Sequence, residues 1–292
     1  MLGTKTSRRL FLKTSVLGGY SLANFPHHLF AGTTQKAAND RITLGPRKIQ
    51  LSRLAMGTGT HGSNGSSNQT RKLGYQGVAE LFRAAYDQGV NFWDSADQYG
   101  SHTYLREALK TVPREKVVIL TKTGSKTPVE VKADIDRFRK ELGIDQIDIL
   151  LMHKMEAPDW NVQMKGCMDV ISEAQDRGII RSKGVSCHTL PALKTAAAEP
   201  WVEIDLARIN PAKVAMDAEP AQVLEVLAQM KAAGKGVIGM KILGQGALRN
   251  KVDESLQFAL AQQSVDCFTI GSESRTEMED LLKKIPAAST RG

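Results

Sequence analysis

Eight short apolar runs recur along this 292-residue chain, each followed by a stretch with apolar residues at helical spacing. The runs occupy residues 53–56, 91–93, 117–120, 147–152, 179–185, 203–209, 236–240 and 267–270. Between them, Val78, Leu81, Phe82 and Ala85 share one helical face, and Val131, Ile135, Phe138 and Leu142 share another. Residues 162–175 read as one helix of the same series. Strands that are apolar on both faces belong to a parallel sheet covered by helices. Eight strand–helix units in about 235 residues predict an α/β fold, a single (β/α)8 TIM barrel. An open doubly wound sheet would carry a G-x-G-x-x-G turn after its first strand. Gly57-Thr58-Gly59 lacks the third glycine and opens no helix. Residues 42–51 read as a short hairpin across the barrel floor.

Net charge is a poor guide to partners here. The formal charge is +8, but residues 1–39 hold Lys5, Arg8, Arg9, Lys13 and Lys36 and no acid. Removing those five leaves +3 for residues 40–292, which is ordinary for a globular domain and gives no nucleic-acid footprint. The three cysteines are too few and too widely spaced for a disulfide framework or a metal motif, so no metal is expected. No apolar run approaches the ~20 residues of a membrane-spanning helix.

The amino terminus reads as an address. Ser7-Arg8-Arg9-Leu10-Phe11-Leu12-Lys13 precedes a modestly apolar stretch, residues 14–23, and a basic head before an apolar region makes a signal peptide. The paired arginines followed by Phe-Leu-Lys resemble the twin-arginine export signal. That resemblance implies the twin-arginine export machinery as a partner, a periplasmic destination, and passage as a folded protein with cofactor bound. A signal left uncleaved would tether the protein to the membrane. The organisation expected is residues 1–39 as signal and linker and residues 40–292 as barrel.

In a barrel of this type the residues at the carboxyl ends of the strands face the reaction site. Asp94 and Tyr99 follow the second strand, Lys122 the third and His153 the fourth. A phenol with a pKa near ~10 is a weak acid at neutral pH. A neighbouring ammonium stabilises the phenolate, a carboxylate holds that ammonium, and a neutral imidazole donates a hydrogen bond to a substrate oxygen. Together they suit proton donation to a carbonyl oxygen as its carbon receives hydride. Taken singly, Asp94 is also a helix cap, Tyr99 a packing residue, Lys122 a rim charge and His153 a core histidine.

The segment Asn91-Phe92-Trp93-Asp94-Ser95-Ala96-Asp97-Gln98-Tyr99-Gly100-Ser101 resembles the aldo-keto reductase signature. Residues 118–122 and 149–153 are similar to the lysine and histidine segments of that family, and residues 52–59 to its first barrel strand. The similarity runs from about residue 42 to 285. It implies an oxidoreductase acting on a small carbonyl or alcohol substrate (aldehyde, ketone or sugar), with Tyr99 as general acid, Lys122 tuning it, Asp94 pairing with Lys122, and His153 orienting the carbonyl. The chain departs from the usual pattern at His102 and Arg106.

The resemblance also implies a nicotinamide dinucleotide, NADPH by default and NADH as the alternative. Gly57 and Thr58 end the first strand beside it. Ser186 would hold the carboxamide, but Cys187 stands where an asparagine is usual. Met240 would pack on the nicotinamide or is plain core. Leu243, Gly244 and Gly246 would approach the pyrophosphate through backbone N–H groups. Gly271, Arg275 and Glu277 line the last segment. Glu277 suits a free ribose hydroxyl, hence NADH, or is a first-turn helix acid. His61 and Trp160 are candidate walls of the substrate pocket, Trp160 equally a loop anchor. The changes at Cys187 and Glu277 keep a rival open, a barrel that binds a nucleotide or sugar without turnover. Oligomeric state is not legible.

Overall fold

The computed structural model describes residues 35–289; the arginine pair Arg8-Arg9 and the apolar stretch after it lie outside the described residues. Residues 35–39, expected as linker, are described, and Leu54 N donates to Ala38 O at 2.9 Å. An antiparallel hairpin comes first, β1 (Arg41–Leu44) and β2 (Ile49–Ser52), with Leu44 opposite Ile49. Its Leu44, Ile49 and Leu51 are fully buried against inward-facing barrel residues such as Ile204 and Ile238.

Eight parallel strands then close on themselves. They are β3 (Leu54–Gly57), β4 (Phe92–Asp94), β5 (Val118–Thr123), β6 (Ile147–Met155), β7 (Ile180–Cys187), β8 (Ile204–Arg208), β9 (Gly236–Met240) and β10 (Cys267–Ile270). Pairing of β10 with β3, Phe268 opposite Leu54 and Ile270 opposite Met56, completes the barrel in chain order. The predicted (β/α)8 architecture is therefore the observed one.

The helices are α1 (Asn68–Asp87), α2 (His102–Ala108), α3 (Pro128–Leu142), α4 (Trp160–Gln163), α5 (Lys165–Asp176), α6 (Leu190–Ala198), α7 (Pro220–Ala232), α8 (Val252–Ala261) and α9 (Arg275–Ser289). α3 shows why these stretches are helical. Thr127 and Glu130 form a reciprocal capping box, Pro128 occupies the first turn, and Val131, Ile135, Phe138 and Leu142 are buried on one stripe. One boundary differs from expectation. The helix expected over residues 162–175 is two helices, because Met164 sits at φ −100°, ψ 15° and interrupts the first turn.

Side-chain alternation along the strands produces two cores. Ala55, Phe92, Leu120, Ile149, Leu151, Leu206 and Ile238 fill the barrel interior. Met56, Trp93, Ile119, Leu150, Val185 and Val237 pack outward under the helices. Each fully buried Leu, Ile or Phe side chain contributes about 1.5–3 kcal/mol by leaving water. The rigid sheet so formed fixes where its carboxyl ends point.

Candidate active site

Three consecutive strands carry the central residues. Asp94 ends β4, Lys122 lies near the end of β5, and His153 lies near the end of β6. Lys122 is fully buried, so its ammonium needs partners. Its Nζ donates to Asp94 Oδ1 at 2.5 Å and to Ser95 O at 2.6 Å. The second carboxylate oxygen of Asp94 accepts from Thr269 Oγ1 at 2.9 Å. Burial alone would lower the Lys122 pKa, but Asp94 and then Tyr99 outweigh it and raise the value.

Tyr99 ends a 3-10 turn, Asp97–Tyr99, directly after β4. Its ring lies under the Lys122 ammonium, 5.1 Å from Nζ to ring centroid. Burial pushes the phenol above its ordinary pKa, Lys122 pulls it down, and Asp94 pushes it up, with a net rise. The phenol therefore keeps its proton at neutral pH until a better acceptor arrives. His153 meets the Tyr99 ring edge to face at 5.9 Å between centroids. Burial, followed by Lys122, His188 and Lys241, holds the His153 pKa down at about 2. A second imidazole, His188, stands 6.3 Å from His153 and is held down to about 3 by burial and by Arg208. Both rings are neutral donors or acceptors at physiological pH.

The surrounding chain shapes a seat for Tyr99. A Cβ at Gly59 would stand 2.3 Å from Tyr99 Cε2, and one at Gly62 would stand 2.3 Å from Cδ1. Gly62 N donates to Gly59 O at 3.0 Å, which closes a turn with His61 at φ 49°. His61, the expected pocket wall, is exposed on that turn. From the other side, Arg137 of α3 donates to Asp97 Oδ1 at 2.7 Å and steadies the 3-10 turn. His102, one of the departures from the family pattern, bridges Thr121 Oγ1 at 2.7 Å and Glu141 Oε2 at 2.8 Å. It ties α2 to β5 and α3. Sequence reasoning missed Arg137 and the paired glycines; the glycines left a signal, since Gly59 and Gly62 flank a turn in a loop that faces the reaction site.

Two expected ligand residues are committed elsewhere. Thr58 is fully buried; its hydroxyl donates to Asp94 O at 3.0 Å and meets Ser101 Oγ at 2.8 Å. It supports Asp94 and presents no free group to a cofactor. Trp160 is 2% exposed in the outer core, and its Nε1 donates to Ala192 O at 3.1 Å. It anchors α4 to α6 and forms no wall of a substrate pocket, because its one polar atom and its ring are both enclosed. Gly57 is buried beside β10, where a Cβ would meet Gly271 N at 3.2 Å.

The remaining positions ring the barrel mouth. Ser186 ends β7, fully buried, accepting from Lys154 N at 3.0 Å and keeping its own proton to donate. Cys187 is buried in the outward core, the packing role open to it in place of asparagine. Met240 is buried among the inward-facing residues at the end of β9. In the turn that follows, Gly244 N donates to Lys241 O at 2.8 Å and Gly246 N donates to Leu243 O at 2.9 Å. These two N–H groups close the turn, so the expected phosphate contacts through them are not presented. After β10, Ser272 Oγ is buried without a hydrogen-bond partner among the described residues. Arg275 pairs with Glu279 at 2.8 Å along the exposed face of α9. Glu277 accepts from Glu273 N at 2.7 Å, closing the amino-terminal end of the same helix. Glu273 itself accepts from Asn68 Nδ2 at 2.6 Å and pairs with Lys72. Among the described residues no His, Cys, Asp and Glu cluster is suited to a metal ion.

Known proteins resemble this chain in sequence and in fold. The sequence model of the aldo/keto reductase family matches residues 53–285. The chain is 28% identical over 169 residues to an NADH-specific methylglyoxal reductase of Escherichia coli (strain K12), covering 50% of this chain and 51% of that protein. It is 23% identical over 221 residues to a D-threo-aldose 1-dehydrogenase of Pseudomonas sp, covering 64% and 66%. The matches thus span about half to two thirds of the length of these curated relatives. Among solved structures, an aldo-keto reductase from Pseudomonas aeruginosa superposes with TM-score 0.73 at 20% identity, over 88% of this chain and 98% of that one. The holo form of an aldo-keto reductase from Bacillus halodurans superposes with TM-score 0.69 at 16% identity, over 84% and 90%.

Proposed function

The chain belongs to the aldo/keto reductase family, and we propose that it transfers hydride between a nicotinamide dinucleotide and the carbonyl carbon of a small aldehyde, ketone or sugar. One observation carries this reading. Asp94, Lys122, Tyr99 and His153 converge at adjacent strand ends, with Lys122 Nζ 2.5 Å from Asp94 and 5.1 Å from the Tyr99 ring centroid. In the reductive direction Tyr99 gives its proton to the carbonyl oxygen, and Lys122 stabilises the phenolate left behind. Neutral His153 donates a hydrogen bond that orients the same oxygen. In the oxidative direction the phenolate takes the alcohol proton.

The bound dinucleotide supplies or accepts the hydride. The residues present fit such a group: Ser186 has a proton to donate, Met240 offers an apolar face, and Ser272 Oγ is buried without a partner among the described residues. The dinucleotide is NADH rather than the NADPH usual in the family. A 2′-phosphate needs a free cation, yet Arg275 turns to Glu279, Lys72 pairs with Glu273, and Glu277 adds a carboxylate on the segment after β10. A ratio of kcat/KM that favours NADH is the expected result; preference for NADPH would reject this part.

The test of the mechanism is Tyr99→Phe on a panel of aldehydes, ketones and sugars. Turnover should fall by roughly 10²–10⁴-fold, with dinucleotide affinity kept. Equal turnover in both proteins would overturn the assignment. Dinucleotide affinity with no turnover in the wild type would make the barrel a binding module instead.

We propose in addition a role for residues 1–39. They address the folded, cofactor-loaded protein to the twin-arginine export machinery and the periplasm, supported by Arg8-Arg9 in an acid-free leader. Replacing both arginines by lysine should trap the protein in the cytoplasm; unchanged fractionation would reject the address.

A further inference from the structure

Met240 closes β9 on the inside of the barrel, and strand alternation would turn the next side chain outward. Lys241 instead has φ 60°, outside strand geometry. Its backbone is pinned there, with Lys241 O accepting from Gly244 N at 2.8 Å and from Asn210 Nδ2 at 3.2 Å. Its residue directly follows β9 at the carboxyl end of the barrel, its side chain is only partly exposed, and its charge acts on His153 and His188 while it feels Lys122, Arg208 and Asp94.

The charges at the mouth do not balance. Lys122 is answered by Asp94 at 2.5 Å. Arg208 is answered by Asp217, with Nε to Oδ1 at 2.7 Å. Lys154 lies 3.5 Å from Glu156. Both histidines are held neutral, His153 at about 2 and His188 at about 3. Lys241 Nζ has neither a hydrogen bond nor an ion pair among the described residues. Burial and two like charges depress its pKa, so a partly desolvated cation stands at the carboxyl end of β9, the end of the barrel that holds Asp94, Lys122 and His153. Such a group is costly alone and gains strongly from an anionic oxygen.

We propose that Lys241 seats an anionic group of the ligand over the reaction centre: a carboxylate carried by the substrate, or the diphosphate of the dinucleotide. The inference rests on the barrel mouth being the ligand site but not on turnover. If the carboxylate is the source, the substrates are acidic, such as oxo acids or sugar acids, and Lys241 sets that preference while Tyr99 does the chemistry.

Calorimetric titration of the full chain with lactate and with inorganic pyrophosphate tests it, in wild type, Lys241→Met and Lys241→Arg. Wild type should bind at least one anion. Lys241→Met should weaken that binding by roughly tenfold or more, and Lys241→Arg should restore most of it. Loss for lactate assigns the seat to an acidic substrate; loss for pyrophosphate assigns it to the dinucleotide. In the first case KM for an oxo acid rises in Lys241→Met while KM for a neutral aldehyde and the affinity for NADH stay the same. Equal binding by wild type and Lys241→Met, or no binding of either anion to wild type, overturns the proposal. Anion binding lost in Lys241→Met without any turnover in the wild type would leave the seat standing and sink the oxidoreductase reading.

Discussion

Gly59 lies against the ring of Tyr99 so closely that a methyl group on it would stand 2.3 Å from Cε2. The obstruction comes from a ring that the mechanism needs in place, so the ring must move. Gly59→Ala should leave the barrel folded and lower turnover by about 10²-fold, the order expected when a reacting group shifts by ~1 Å. Circular dichroism and steady-state rates with a saturating dinucleotide check both halves. Full activity in Gly59→Ala would mean that Tyr99 does not act from this position.

The buried pair Asp94–Lys122 makes a different prediction, because structure and chemistry separate. Asp94→Asn leaves the fully buried Lys122 ammonium without its carboxylate and should cost about 3–5 kcal/mol of stability. The double variant Asp94→Leu, Lys122→Met removes both charges and should recover much of that loss. It should not recover turnover, since no ammonium remains to stabilise the Tyr99 phenolate. Urea midpoints and rates for the two variants decide the matter; activity in the double variant would rule out the tuning role.

The barrel was legible because its strands are short, apolar on both faces and separated by helical periodicity. The residues that converge were legible from their chemistry at successive strand ends. What a side chain is committed to was less legible. Thr58 sits in the right place for a ligand contact, yet its hydroxyl holds Asp94 O, a backbone group 36 residues away. Arg275, expected to line the cofactor segment, pairs instead with Glu279, an i, i+4 spacing that was visible in the sequence. Lys241 escaped because strand alternation points it outward, and its φ of 60°, which breaks that alternation, is not visible in the sequence.

Trp160 shows how burial separates an anchor from a wall. Trp160→Phe should cost about 1 kcal/mol through the lost hydrogen bond to Ala192 O, plus a smaller packing loss. Trp160→Ala should cost about 3–5 kcal/mol. Neither should change KM for any substrate at a temperature where both remain folded. A selective rise in KM would return Trp160 to the pocket.

Three groups, His153 and Asp205 buried and His188 half-buried, set opposing pH trends in stability. His153 and His188 titrate at about 2 and about 3 in the folded protein against an ordinary 6.5, so the unfolded chain binds more protons between those values. Their contribution is present above pH 6.5 and is lost as pH falls through that window, with a slope of about 1.4 kcal/mol per pH unit for each proton. Asp205 acts in the opposite sense. Burial raises it from 3.8 to about 8, and neither carboxyl oxygen has a hydrogen-bond partner among the described residues. The folded protein then holds a proton that the unfolded chain releases, and stability falls as pH rises from about 4 to about 8. Above pH 6.5 the histidines no longer offset it, so among these three groups the optimum lies near 6.5. Asp205→Asn should flatten the urea midpoint between pH 6.5 and 8 while leaving the acid-side loss intact. A wild-type midpoint that is level across pH 6.5–8, and unchanged in slope by Asp205→Asn, would show that Asp205 is ionised in the folded protein.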